Sequence, residues 1–115
     1  MQIDVNKVKI LVTVPAQNLE DVRMAVCNAW AGIIGNYTFC SITTKAVGTF
    51  KPNDKAKPYI WEQNKLEYVD EEKLEVICDI ANVKNVLKEL RKAHPYEEPA
   101  IDIIPLINEE DLWRY

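Results

Sequence analysis

The segment His94-Pro95-Tyr96-Glu97-Glu98-Pro99-Ala100 and the apolar run after it constrain this chain most, because they stop a helix and start a strand within a few residues. Before the segment, Val83, Val86, Leu87 and Leu90 fall on one helical face between Val83 and Ala93. Pro95 lacks a backbone donor and biases its predecessor away from helical dihedrals, so that helix is expected to end at His94. Lys92 and His94 put positive charge in its last turn, where the helix dipole favours it. After Pro99, the branched residues of Ile101, Ile103 and Ile104 read as a strand. Ile101, Ile103 and Ile107 lie on one of its faces and Ala100, Ile104 and Leu106 on the other, which implies a strand covered on both sides.

A length of 115 residues bounds the chain to one domain over 1–115, with a long connection or flap at 51–64 and a short tail at 108–115. The net charge of -4 offers no basic footprint for nucleic acid or an anionic membrane surface. The opening MQIDVNKVKILVTV mixes charges into its apolar residues, and no stretch approaches the roughly 20 apolar residues of a membrane span. A cytoplasmic protein is therefore expected. Cys27, Cys40 and Cys78 are odd in number, widely spaced and without a CxxC pair, as expected of reduced thiols rather than a disulfide framework or a zinc site.

Further along the chain, Val8, Ile10, Val12 and Val14 alternate with Lys9, Leu11 and Thr13 and predict a first strand ending at Pro15. Asn18 suits an N-cap, and Glu20 and Asp21 suit a first turn. The stripe Leu19, Val22, Val26, Ala29, Trp30 and Ile33 predicts the longest helix over 18–34, stopped by Gly35 and Asn36. Residues 37–50 read as a second strand with a bulge at Gly48. A third strand is expected within 66–80, with a break near 70–72. The order is βαββαβ.

That order is the ferredoxin-like α+β sandwich, a four-stranded antiparallel sheet with two helices on one face. Helices cover one side of such a sheet, whereas the first and last strands carry apolar residues on both. A second copy of the chain, sheet against sheet, is the simplest cover, so a homo-oligomer is expected. Leu112, Trp113 and Tyr115 either extend that contact or fold over their own subunit.

Three separated stretches carry a family resemblance: GNYTFCSITTKAVGTFKP at 35–52, PYIWEQNKLEYVDEEKLEV at 58–76 and RKAHPYEEPAIDIIPL at 91–106. In order and spacing they resemble the insert domain of the Nif-three-like proteins, also called YqfO, over roughly residues 8–107. The HPYE segment and the strand after it also resemble CutA, a trimeric protein linked to divalent cation tolerance. Both resemblances imply a PII-like branch of the fold and lean toward a trimer rather than a dimer. In full-length Nif-three-like proteins the dinuclear metal site is built by two halves that flank this insert. The resemblance therefore implies a stand-alone insert with neither that metal centre nor a hydrolase activity built on it. In PII-like proteins, clefts between subunits bind small ligands, often nucleotides, and a long loop in the place of 51–64 responds to them.

The candidate cleft residues are Tyr37, Cys40, Thr49, Lys51, His94, Tyr96, Glu97 and Glu98. Thr49 and Lys51 bring a hydroxyl and a cation toward an anionic ligand, and Gly48 permits unusual backbone geometry beside them. GTFKP lacks the glycine spacing of a P-loop. His94 with Glu97, Glu98 and Asp102 has donor types that suit a divalent cation, but only if subunits pool them to reach three or four ligands. Otherwise these side chains fix the helix end. Cys40 needs a base such as His94 within hydrogen-bond reach to act as a nucleophile; a core role is its alternative.

Two functions follow. The favoured one is a non-catalytic, homo-oligomeric ligand-sensing or interaction module that takes a small-molecule or anionic ligand and needs no cofactor, nucleic acid or membrane. The alternative is a CutA-like divalent-metal-binding protein or a small Cys/His enzyme.

Overall fold

The computed structural model describes residues 3–113. Strand β1 (Lys7–Pro15) leads through a 3-10 turn (Ala16–Asn18) into helix α1 (Leu19–Asn28). Then come β2 (Ile42–Phe50), β3 (Glu67–Asp79), α2 (Ile80–Ala93), β4 (Ile101–Leu106) and a one-turn helix α3 (Glu109–Leu112). The strands form one antiparallel sheet in the order β2-β3-β1-β4, which is the ferredoxin-like α+β arrangement.

Strand alternation builds the core. Val8, Ile10 and Val12 pair across β1 and β3 with Cys78, Val76 and Leu74, so their side chains share one sheet face. On the other side of β1, Ile10 meets Ile103 and Val12 meets Ile101. Val22, Val26 and Cys27 from α1 and Val86 and Leu90 from α2 close over that face. The opposite face carries Leu11, Ile77, Ile104 and Leu106 among Lys9, Lys73, Glu75 and Asp102. In the single chain Ile103 and Ile104, on opposite faces of β4, keep 44% and 46% of their surface exposed, so neither face of β4 is fully covered.

Several expected boundaries are corrected. α1 stops at Asn28 rather than 34, and α2, begun at Ile80, is the longest helix. The stripe that suggested a longer α1 breaks because Trp30 adopts a positive φ of 82° and Gly32 one of 76°. The amides of Ala29 and Ala31 turn back onto the Val26 carbonyl, and the Gly32 amide bonds instead to Ile77 of β3 at 2.7 Å. Ala29 and Ala31 are buried there without being helical. Gly35, expected as the helix stop, sits in a tight turn closed by the Ile34–Tyr37 bridge. β2 consequently starts at Ile42, not 37. Asn18 makes no side-chain cap; it lies in the 3-10 turn with Oδ1 buried and unbonded.

β3 runs unbroken through 70–72, and Gly48 pairs in regular register with Val69, so neither the break nor the bulge exists. β1 reaches only as far as Glu71 on β3, whereas β2 follows β3 to Glu67. Residues 47–50 and 67–70 therefore project as a two-stranded ribbon. The outline is elongated, 53 × 29 × 24 Å, with a radius of gyration of 16.2 Å against about 13 Å for a compact chain of this length, and the ribbon contributes to it. Tyr115 and its expected contact lie outside the described residues.

Candidate functional site

The end of β2, the 51–64 connection and the HPYEE turn meet around a cavity of about 440 Å³. Each wall is set locally. Pro52 accepts from the Asn64 amide and so closes the base of the connection. The Asn53 side chain accepts from the Lys55 amide at 2.9 Å, and Gln63 donates to the Asp54 and Ala56 carbonyls at 3.1 and 2.9 Å. These bonds give a polar, proline-containing stretch a defined shape. Glu97 accepts from the Lys57 amide at 2.8 Å and ties the connection to the turn after α2.

Four rings of this region line the cavity: Phe50, Tyr59, Trp61 and Tyr96. Trp61 packs edge-on against Phe50 at a centroid distance of 4.3 Å and against Tyr96 at 5.0 Å, with interplanar angles of 70° and 74°. Steeply inclined rings make corners rather than a flat stack, and edge-to-face pairs of this kind are attractive.

Glu71 forms the floor. It is 6% exposed, and its Oε2 accepts the Tyr96 hydroxyl at 2.9 Å. Gly48 is what allows it there: a Cβ on residue 48 would overlap Oε1 and stand 2.9 Å from the Glu71 Cδ. The glycine thus serves close approach of a side chain. Burial, and then the bond to Glu71, push the Tyr96 phenol well above its usual range.

His94 stands behind Tyr96, with ring centroids 4.8 Å apart, and does not line the cavity. Its Nε2 lies 2.8 Å from the Thr13 carbonyl and therefore donates, while Nδ1 accepts the Tyr96 amide at 3.1 Å. Only the neutral Nε2–H tautomer satisfies both, and burial in turn pushes the pKa down. Both ring nitrogens are occupied, so the imidazole offers a cation no lone pair. Among the described residues no three His, Cys, Asp or Glu side chains converge as ligands, and the residues do not fit a metal centre within one chain.

Of the residues singled out from sequence, Thr49, Lys51, Tyr96, Glu97 and Glu98 line the cavity together. Tyr37 and Cys40 do not; they belong to the loop after α1, where the Cys40 amide bonds to Gly32 at 2.8 Å and Tyr37 is largely exposed. All three cysteines are free, and burial pushes the Cys27 and Cys78 thiols up. Sequence reasoning missed Glu71, Phe50, Tyr59 and Trp61. The available signals were a glycine inside a strand and three aromatics in or beside an otherwise polar connection.

No family model matches the chain. It is 45% identical over 101 residues to a GTP cyclohydrolase 1 type 2 homolog of Halalkalibacterium halodurans, covering 88% of this chain and 27% of that protein. The corresponding Bacillus subtilis protein is 45% identical over 98 residues, covering 85% and 26%. The chain thus spans about a quarter of the length of the curated relatives it matches. Among solved structures, a Bacillus cereus protein related to NIF3 superposes with a TM-score of 0.78 at 38% identity, over 90% of this chain and 26% of that one. The periplasmic divalent cation tolerance protein CutA from Archaeoglobus fulgidus superposes with a TM-score of 0.66 at 20% identity, over 92% and 91%, which places the two in one fold. Among the described residues no helix is long and apolar enough to cross a membrane.

Proposed function

Because the chain is similar over most of its length to one segment of the Nif-three-related proteins, and shares the CutA fold, we propose that it is a non-catalytic, self-associating module that senses a small ligand. In this reading residues 1–115 act as one cytoplasmic domain without cofactor, nucleic acid or membrane, and copies associate through the open sheet face. The observation that carries the proposal is the aromatic cavity joining β2, the 51–64 connection and the turn after α2. Its size and largely apolar walls with a few polar groups match small-molecule sites in general. A ligand there would touch three separate stretches of chain and fix the connection on the sheet, which is how binding becomes a signal.

Thermal-shift measurements at fixed protein concentration test the proposal across nucleotides, carboxylic acids, amines and divalent metals, since a ligand of the folded state raises Tm. The expected result is a rise with an organic ligand that disappears in Trp61→Ala. Substrate turnover abolished by Cys40→Ser would reject the non-catalytic reading. Light scattering checks assembly: the expected species is a multimer that Ile104→Lys converts to monomer, and a monodisperse wild-type monomer at micromolar concentration would reject self-association.

A further inference from the structure

The ligand chemistry of this cavity can be read from its floor. Glu71 is more than nine-tenths buried, yet among the described residues its only hydrogen bond is to the neutral Tyr96 hydroxyl, through Oε2. Oε1 has no donor among the described residues, and none of the ion pairs there includes Glu71. The unpaired Oε1 is not among the fully buried oxygens and so keeps solvent contact where Glu71 lines the cavity. A carboxylate oxygen left without a donor in a largely apolar wall is a ready partner for positive charge on a ligand. The remaining charges agree: Glu97 and Glu98 line the cavity with Glu71, against Lys51 as the lining cation. The four inclined rings add negative ring faces, the arrangement that attracts alkylammonium and related cations.

We propose that the cavity binds a small organic cation, an ammonium or guanidinium group on a short apolar body, with the charge at Glu71 Oε1 and the body among Phe50, Tyr59, Trp61 and Tyr96. This rests on the cavity being the ligand site, and it replaces the anionic ligand expected from Thr49 and Lys51. A metal ion is disfavoured because, among the described residues, no second or third ligand converges with Glu71.

The test titrates the full chain with three probes of matched shape, pentylamine, pentanol and valerate, followed by calorimetry and Trp fluorescence. Pentylamine should bind at least about tenfold more tightly than either of the others. Glu71→Gln should remove that preference while leaving the far-UV spectrum native. If Glu71→Gln does not fold, Trp61→Leu keeps an apolar wall and should still weaken the amine more than the alcohol. Equal binding of amine and alcohol, or an amine preference that survives Glu71→Gln, overturns the proposal. Tight valerate or nucleotide binding that is lost in Trp61→Leu would overturn the cation alone and leave the ligand-sensing reading standing. Silence from every probe class would sink both, and dissociation of a multimer by Glu71→Gln without any amine binding would assign the missing cation to a second copy of the chain.

Discussion

The carboxylate of Glu71 lies across Gly48, in the space that any Cβ at that position would fill. The two residues belong to paired strands: Gly48 opposes Val69, and Glu71 opposes Ala46, so the contact runs diagonally over the open sheet face. Gly48→Ala should therefore push Glu71 off its site and break the bond to Tyr96, at a cost of about 1 to 2 kcal/mol. In a Glu71→Ala background the same change meets no obstacle, and it should be neutral or stabilising by up to about 1 kcal/mol, because alanine suits a strand better than glycine. A double-mutant cycle by urea denaturation measures the difference, and simple additivity would contradict the packing described.

Tyr96→Phe removes the donor to Glu71 Oε2 and keeps the ring against Trp61. A buried acceptor left unpaired costs roughly 1 to 3 kcal/mol. Because the folded phenol has its pKa raised, the unfolded chain loses its proton first on the alkaline side. Stability from this group is thus complete below about pH 10 and declines as pH rises past that point. Ultraviolet difference titration should show one late-ionising tyrosine in the wild type and none in Tyr96→Phe.

His94 gives the opposite limb. Its folded pKa is lowered, so the unfolded chain takes up a proton first as pH falls below about 6.5. Stability should be flat with respect to this group above that value. Below it, stability should fall by no more than about 1.4 kcal/mol per pH unit until the folded imidazole is protonated too. Protonation also costs the Tyr96 amide its acceptor at Nδ1, so the turn beside the cavity loosens together with the histidine. Thermal melts between pH 7 and about pH 5 should show this slope in the wild type, and His94→Gln should flatten it.

β1 and α2 were legible in the sequence because each has one dominant period and a proline or dipole signal at its end, and β4 because a run of branched residues follows Pro99 with no helical period. α1 misled because an apolar stripe continues through Ala29 and Trp30, although only Ala29 of that pair is buried; Trp30 is 62% exposed in a left-handed conformation. Burial outside a helix leaves the same apolar mark as burial within one. At the site, the HPYEE turn could be seen because its residues are adjacent. Glu71 could not, since its partners Gly48 and Tyr96 are brought near only by strand register and by the return of the chain after α2. A sequence of three adjacent acidic residues, Asp70 to Glu72, gives no sign that the middle one is buried while Asp70 is exposed.

The strand order has a consequence for how the molecule is made. β1, made before the other three strands of the sheet, lies inside it and pairs on one side with β4, Lys7 opposite Leu106. Until residue 106 has cleared the ribosome, one edge of β1 stays unpaired with Leu11 beside it, an invitation to pair with other nascent chains. The long-range pairing of β1 with β4 is also a slow folding step. Synonymous codon changes that delay translation of β4 should therefore lower soluble yield more than the same delay placed within α1.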